Sequence, residues 1–343
     1  MNLISTATKN IQDILKICLH FNTSESLPKN QALVIYDTNN GLTELLTQSY
    51  RNALPSAKFL NFNQLNKEEI LLEFSTLNEG DLVVMIQTTN FRLDDFRIRL
   101  HLFNQGLKVI EHMHLYRNEE SVWDVYVNSL EYDLNWYPVM GPKLKEKLAS
   151  SKVLSIKSQS SEQNCELKVE GDLEEPKLNT GDYTGLTNVG GTFPIGEVFT
   201  EAKEFHSMNG NLKVYAFADS NFDVMMVEPF VINIREGLVE SYDSKTPDEF
   251  IKVLNQIKSI ERPLVREIGF GLNKAITKER FLGDITAFER ILGLHFSLGE
   301  KHATYKKEGI VTKKSRFHVD VFAVIDEVSV DGDIIFKDGQ YVL

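Results

Sequence analysis

The chain has 343 residues, of which 42% are hydrophobic and 25% charged, and its formal net charge is -12. This length is comfortable for two domains, and the negative charge argues against nucleic acid or an anionic membrane as the main partner, because phosphate groups bind clustered Lys and Arg. With Cys18 and Cys165 as its two cysteines, the chain cannot form a disulfide framework or a four-cysteine zinc site, so metal ligands must come mainly from His, Asp and Glu.

The N-terminus, M-N-L-I-S-T-A-T-K-N, lacks the basic segment and the apolar core of a signal peptide. No apolar stretch of the sequence approaches the roughly 20 residues that a membrane helix needs. We therefore expect a cytoplasmic protein that does not have a membrane as a partner.

The first half alternates amphipathic helices with short apolar strands. Helices are predicted from Ile11 to Leu19 and from Leu42 to Tyr50, because apolar residues recur there at helical spacing. Strands are predicted at residues 32–36, 81–86 and 107–110. This alternation is typical of a parallel sheet with helices on its faces. The sequence thus predicts an open α/β domain with a mostly parallel sheet, and it contains neither a G-x-G-x-x-G turn nor a P-loop for a nucleotide.

The second half has a different sequence pattern, dominated by short segments in which apolar and polar residues alternate. Strands are predicted, for example, at residues 165–170 and 212–217. Thr246-Pro-Asp-Glu249 reads as a capping box, with Pro at the first position of one clear helix. We therefore predict an α/β domain over residues 1–150 and an α+β domain, which carries the metal site, over residues 151–343.

His318 and Asp320 are the most informative pair in the chain. The stretch from Arg316 to Ile325 is rich in β-branched and aromatic residues and predicts a strand, on which alternate side chains share a face. The imidazole and the carboxylate then lie side by side among apolar residues, and burying them is costly unless a bound cation compensates. A His–Asp hydrogen bond on an exposed strand face is the alternative interpretation.

Further candidate ligands lie upstream in the second half. Glu197 follows a turn rich in Gly and Pro, and Glu267 begins a Gly-rich apolar stretch. His295 has the most apolar surroundings of any His, and His302 and Tyr305 follow at a distance that can return them to the same site. Each residue also has an ordinary alternative, such as an exposed Glu beside a turn or a core His held only by hydrogen bonds.

A separate pair, His112 and His114, lies beside Glu111 directly after the third predicted strand. Two His at strand spacing also suit a metal, but no further ligands cluster near them in the sequence. A substrate contact at the carboxyl edge of the sheet is the favoured functional interpretation of this pair.

The imidazoles and carboxylates of the second half suit zinc, iron, manganese or cobalt better than calcium. Two His and one Asp also form the facial triad of non-haem iron enzymes, which leaves positions open for chemistry. Two additional Glu supply enough carboxylates for a second metal, as in co-catalytic aminopeptidase sites. The chain has neither the G-x-S-x-G elbow of serine hydrolases nor the H-E-x-x-H helix of common zinc proteases.

Read in order, the motifs G-E-V-F-T, R-E-I-G-F-G-L-N, H-F-S-L-G and H-V-D resemble the thermophilic metallo-aminopeptidase family, the aminopeptidase T and aminopeptidase S group. The resemblance covers roughly residues 185–340. It implies a first α/β domain, a second domain that carries the metal, and a homodimer. It also implies metal ligands at Glu197, Glu267, His295, His318 and Asp320.

The chain departs from the aminopeptidase pattern in two motifs and in its length. His302 stands where the family has a tyrosine ligand, and Glu289 is one residue out of register with the family's E-N pair. The shorter length resembles the family's other branch, the 2,5-dihydroxypyridine 5,6-dioxygenases. That branch holds one iron on His, His and Asp, here His295, His318 and Asp320.

Three functions therefore stay open. In a metallo-aminopeptidase-like hydrolase acting on a peptide, Zn, Co or Mn activates water while Glu197 or Glu267 bridges metals or relays the proton. In a ring-cleaving dioxygenase acting on a small molecule, the metal is Fe(II), and His302 or a Glu is the acid–base partner. In the third, a catalytically degenerate dimeric binding protein retains the fold without a working site.

Overall fold

The computed structural model describes residues 2–21, 30–93, 97–158, 164–310 and 314–343. Contacts between residues divide the chain into two compact units, each made of several segments. The first unit comprises residues 1–134, 181–195 and 278–287, and the second comprises residues 135–180, 196–277 and 288–343. The predicted boundary near residue 150 concerns continuous domains and stays a prediction.

Helices are a minor part of the described residues. A π-helical turn, Ile14–Cys18, continues the first helix, so this helix begins earlier in the chain than predicted. None of the described helices is long and apolar enough to cross a membrane. The α-helices are α1 (Leu3–Asp13), α2 (Gly41–Ala53), α3 (Lys67–Ser75), α4 (Ile98–Asn104), α5 (Trp123–Ser129), α6 (Tyr137–Ala149), α7 (Asp248–Lys258) and α8 (Ile285–Phe288).

Strands form two sheets, one in each unit. The described residues also form four short 3-10 turns along the chain, Phe62–Gln64, Leu115–Arg117, Glu120–Val122 and Phe205–Ser207. The strands are β1 (Ala32–Tyr36), β2 (Lys58–Asn61), β3 (Leu82–Ile86), β4 (Lys108–His112), β5 (Val153–Ser158), β6 (Cys165–Glu170), β7 (Lys177–Asn179), β8 (Gly190–Thr192), β9 (Glu197–Glu201), β10 (Met208–Ala218), β11 (Val224–Arg235), β12 (Leu238–Tyr242), β13 (Val265–Gly271), β14 (Gly293–Leu298), β15 (Val319–Ala323), β16 (Glu327–Val330), β17 (Asp333–Lys337) and β18 (Gln340–Tyr341).

The first unit contains a parallel sheet with the strand order β2-β1-β3-β4-β8. Its central strand β3 is buried along its whole length, which is typical of a parallel sheet covered on both faces. The three strands predicted from apolar runs correspond to β1, β3 and β4. The prediction of an open, mostly parallel α/β sheet is therefore confirmed.

The edge strands β2 and β8 were not predictable from an apolar pattern. β2 reads K-F-L-N and β8 reads G-G-T, so neither has the run of apolar residues that marks the central strands. At Gly190 an added Cβ would lie 1.9 Å from the carbonyl oxygen of Val109, so only glycine lets β8 approach β4 this closely.

The second unit is dominated by a large antiparallel sheet with the order β18-β17-β16-β5-β6-β10-β15-β14-β13-β9-β7. β11 pairs with β10, and β12 pairs with β11. The segments predicted at residues 165–170 and 212–217 lie in β6 and β10. With α6 and α7 as its long helices among the described residues, this unit confirms the predicted α+β class.

The helix predicted after residue 246 exists, but its predicted capping box does not form. α7 begins at Asp248 with Pro247 as its N-cap residue, and no side chain caps it. The Thr246 hydroxyl instead lies 3.3 Å from a carboxylate oxygen of Asp243, which removes it from the helix end. The helix is held by its buried stripe of Phe250, Val253, Leu254 and Ile257.

His112, at the end of β4, is a hydrogen-bonded core residue. Its Nε2 lies 2.8 Å from the Tyr50 hydroxyl and its Nδ1 lies 2.9 Å from the Tyr126 hydroxyl. Burial lowers the pKa of His112 to about 3, so the ring is neutral. Neighbouring Glu111 pairs with Arg99 at 2.6 Å. Both ring nitrogens are therefore engaged by protein groups, which favours a structural role over a metal site.

Replacing His112 with Leu is expected to lower the free energy of unfolding by about 1–3 kcal/mol, because the buried Tyr50 hydroxyl loses its partner. Tyr126 keeps a second contact, with the Phe193 carbonyl at 3.2 Å. Urea denaturation measures the loss, and His206→Leu at an exposed position is the control, with a change within about 0.5 kcal/mol. Loss of bound metal in His112→Leu would contradict the structural role.

Candidate metal centre

Four neighbouring strands of the second unit, β9, β13, β14 and β15, bring the predicted ligands together. In the antiparallel register, Glu197 of β9 pairs with Gly271 of β13, and His295 of β14 pairs with Gly269 of β13. Asp320 lies on β15, which pairs with the other edge of β14. Residues that are far apart in sequence therefore become neighbours across the sheet.

Gly269 makes room for the imidazole of His295. A Cβ added at Gly269 would lie 2.1 Å from Cε1 and 2.3 Å from Nε2 of that ring, distances that no real side chain tolerates. The ring thus lies directly over the backbone of β13. The glycine in the motif R-E-I-G-F-G-L-N has a specific role that the sequence alone did not indicate.

Glu267 lies at an irregularity in β13. Val265 pairs with Leu298 and Ile268 pairs with Phe296, so three steps along β13 correspond to two along β14. Such a bulge re-aims a side chain, and bulges recur next to active sites. The Glu267 N–H donates to the Ser297 hydroxyl at 3.0 Å, which fixes the bulged residue against β14.

The Glu267 carboxylate lies between two imidazoles. Its Oε1 is 3.4 Å from His295 Nε2, and its Oε2 is 2.8 Å from His302 Nε2. His295 Nε2 is also 3.2 Å from Glu197 Oε1. Ligand atoms of Glu197, Glu267 and His295 all lie within 4.8 Å of one another, and so do those of Glu289, His295 and Asp320. The structure thus contains a possible metal site at Glu197, Glu267 and His295.

His302 differs from His295 in how its ring is held. The backbone N–H groups of Thr304 and Tyr305 donate to its Nδ1, at 3.1 and 3.3 Å. A neutral ring that accepts at Nδ1 carries its proton on Nε2, the atom beside Glu267. Nε2 is buried and has no partner in hydrogen-bond geometry, although the Glu267 oxygen is close. His302 is therefore better suited to orient the Glu267 carboxylate than to bind a metal directly.

His318 and Asp320 form the outer part of the cluster. β15 begins at Val319, so the predicted strand is present but His318 immediately precedes it. Its Nδ1 lies 3.0 Å from the Lys301 carbonyl and must donate to it, so in the neutral ring it is Nε2, 3.3 Å from Asp320 Oδ1, that has the lone pair. Metal-binding His commonly donates its other ring nitrogen to a carbonyl in this way.

Several buried polar atoms of the cluster lack a hydrogen-bond partner. Among them are Glu197 Oε1 and Asp320 Oδ1, two carboxylate oxygens from different strands. Leaving buried oxygens unpaired is costly, and a divalent cation removes that cost. The residues present therefore fit a divalent metal, in agreement with the ligand types predicted.

Arg290 and Glu289 belong to the cluster as well. Arg290 donates through Nη1 to Glu197 Oε2, and its Nη2 lies 2.8 Å from Glu289 Oε1. The sequence showed Glu289 only as a carboxylate out of register, and Arg290 gave no signal, because its role depends on contact with β9. In retrospect, the sequence feature that points to Arg290 is the charged pair Glu289-Arg290, which directly precedes the apolar segment of His295.

The charges of the cluster shift the pKa of its members. Burial alone lowers the pKa of His295, but contacts with Glu197 and Glu267 outweigh burial and hold this pKa well above its ordinary value. In His318, Asp320 similarly outweighs burial and raises the pKa to about 10. Burial raises the pKa of Glu267, yet His295 and His302 hold it well below its usual range. Both His295 and His318 are thus protonated at neutral pH when no metal is bound.

A buried ion pair beside the cluster positions the segment that carries His302. Arg266 Nε lies 2.8 Å from Glu201 Oε2, and both side chains are almost fully buried. The same guanidinium donates to the carbonyls of Glu300 and Tyr305, on both sides of His302. The Tyr305 hydroxyl is directed to the backbone carbonyls of Glu175 and Phe199, while its ring packs against the His302 imidazole with the ring centroids 5.0 Å apart.

Comparisons with solved structures identify proteins of the same fold. A 2,5-dihydroxypyridine dioxygenase from Pseudomonas putida KT2440 aligns over 99% of this chain and 97% of its own, with 13% identity and a TM-score of 0.65. Wild-type AmpT from Thermus thermophilus aligns over 99% of both chains, with 12% identity and a TM-score of 0.61. No protein-family model and no curated protein sequence matches the chain. The predicted resemblance to both branches of the aminopeptidase T group is confirmed at the level of the fold.

Replacing Gly269 with Ala is expected to weaken Zn²⁺ binding by about ten- to a hundredfold, because the new Cβ displaces the His295 ring from the carboxylates. Competition with a chromophoric chelator measures the affinity. Gly339→Ala is the control, since a Cβ added there meets nothing within 4 Å, although the backbone at that position also favours glycine. Unchanged affinity in Gly269→Ala would show that His295 does not bind the metal.

Metal binding is expected to release protons. Without metal, the raised pKa of His295 keeps its ring protonated at neutral pH, whereas a metal needs the neutral ring. The affinity for Zn²⁺ should therefore rise with pH, by about tenfold per unit for each proton released. Isothermal titration calorimetry in buffers of different ionisation enthalpy counts the protons. An affinity that is independent of pH between 6 and 8 would contradict a role for this His.

Proposed function

We propose that this protein is a metal-dependent hydrolase of the aminopeptidase type, with its metal on Glu197, Glu267 and His295. The observation that carries the proposal is the position of Glu267, whose two oxygens lie beside two different imidazoles in a buried cluster of unpartnered ligand atoms. The shared fold of the AmpT structure supports it.

The composition of the close ligand groups favours a hydrolase over the dioxygenase alternative. Within the described part of the chain, both groups of mutually close ligand atoms combine two carboxylates with one imidazole. Among the described residues, no group of two His and one carboxylate, the facial triad of iron oxygenases, has its ligand atoms within the same distance of one another. The excess of carboxylates also attracts a cation such as the protonated amine at a peptide N-terminus, which suits an aminopeptidase substrate.

Each residue of the centre has a defined task under this proposal. Glu197, Glu267 and His295 would hold the ion, which when bound lowers the pKa of water from about 15.7 towards about 7 and polarises a carbonyl. His302, whose Nε2 carries its proton 2.8 Å from Glu267 Oε2, would orient this carboxylate. His318, held by Lys301, would orient Asp320 or bind the ion beside it.

The proposal is tested with a metal-free protein reloaded with Zn²⁺, Co²⁺ or Mn²⁺ and assayed with leucine p-nitroanilide. We expect metal-dependent cleavage in the wild type, and in Glu267→Gln a loss of about a hundredfold or more in activity together with weaker metal binding, because the shared carboxylate is gone. Exposed Glu240→Gln is the control and should retain both.

Two outcomes would reject the hydrolase. Oxygen consumption with Fe(II) and a dihydroxypyridine, without anilide cleavage, would establish the dioxygenase alternative instead. Absence of bound metal even after reloading would favour the dimeric binding protein. The homodimer and the cytoplasmic location stay predictions, which size measurement in solution and cell fractionation address.

A further inference from the structure

Arg290 is a positive charge built into the metal centre. Its side chain is buried, and its backbone is fixed because the Asn273 N–H donates to the Arg290 carbonyl at 2.8 Å. At Gly271 an added Cβ would lie 2.8 Å from that carbonyl oxygen, so the glycine permits the close approach. The backbone of Arg290 is therefore fixed beside the end of β13 independently of any ligand.

The guanidinium binds one carboxylate from each close ligand group. Nη1 donates to Glu197 Oε2, and Nη2 lies 2.8 Å from Glu289 Oε1. The two oxygens of Glu197 therefore have different surroundings. The other oxygen, Oε1, lies 3.2 Å from His295 Nε2 and has no hydrogen-bond partner. One oxygen of Glu197 serves Arg290, and the other is free for a metal.

His295 limits how many ions the centre can hold. Throughout the described ranges, each close group of three ligand residues includes His295. A neutral imidazole has one lone pair, because its other nitrogen carries the proton. Two ions therefore cannot both bind a complete group. A second ion would have to be held by carboxylates alone, and two of these, Glu197 and Glu289, are already paired with Arg290.

We propose that the centre binds one divalent ion, on Glu197, Glu267 and His295, and that Arg290 supplies the positive charge that a second ion provides in a two-metal site. This inference rests on the proposed function and specifies its metal content. In two-metal hydrolases a pair of ions about 3.5–4 Å apart shares the carboxylates. Here Arg290 takes one oxygen of Glu197, and Glu197 would hold the ion with the other oxygen, which faces His295.

The test is the number of Zn²⁺ ions bound per chain, measured by equilibrium dialysis and elemental analysis. The wild type is expected to bind about one ion, and Arg290→Met, which removes the charge at similar length, about two, since two carboxylates lose their cation. Arg290→Lys retains the charge and is the matched control, expected to stay at about one. Electron paramagnetic resonance of the Mn²⁺-loaded wild type separately distinguishes an isolated ion from an interacting pair.

Each result decides the inference. About two ions in the folded wild type, or an interacting Mn²⁺ pair, would overturn it and leave the hydrolase proposal intact. About one ion in folded Arg290→Met would also overturn it, because the charge would not be what excludes the second ion. If Arg290→Met does not fold, the two wild-type measurements decide. Zn²⁺ binding in none of the proteins would reject the metal centre and the proposed function together.

Discussion

Repulsion between buried carboxylates is the constraint on which the second unit depends. Glu197, Glu267 and Asp320 are almost fully buried in one sheet, and like charges at this separation in a poorly polarisable interior oppose folding strongly. Arg290 and the protonated imidazoles compensate this repulsion when no metal is present. The same compensation explains why the cluster can exist before a cation arrives, and why an arriving cation has to displace protons.

The sheet is the device that brings these charges together. Adjacent antiparallel strands place residues opposite each other at fixed spacing, so β9, β13 and β14 fix Glu197, Glu267 and His295 by register instead of by loops. The bulge at Glu267 is a local departure from regular pleating, whereas Gly269 keeps the regular register and leaves room for the His295 ring. A rigid scaffold of this kind positions ligands more precisely than surface loops do.

The sequence allowed the fold classes and the ligand types to be predicted, since these depend on local patterns. Apolar runs marked the central parallel strands, and acidic or imidazole side chains in apolar surroundings marked the candidate ligands, such as His295. Contacts between strands could not be predicted, because the sequence of one strand does not determine its register with the neighbouring strand. Gly269 and Arg290 therefore acquired roles only from the structure. Thr246 is the opposite case, because its local pattern predicted a helix cap that the structure does not form. Its hydroxyl contacts the carboxylate of Asp243 instead.

The path of the chain through the two units has a consequence for synthesis. The first unit takes its strand β8 from residues 181–195 and a further segment from residues 278–287, long after its first 134 residues have been made. The edge of β4 that pairs with β8 therefore stays unpaired during synthesis until β8 has been made. At about 5–20 residues per second, the interval between residue 112, where β4 ends, and residue 190, where β8 begins, lasts roughly 4 to 16 seconds. During that time the exposed edge is open to pairing with other chains, and a fragment ending at residue 134 would keep that edge permanently.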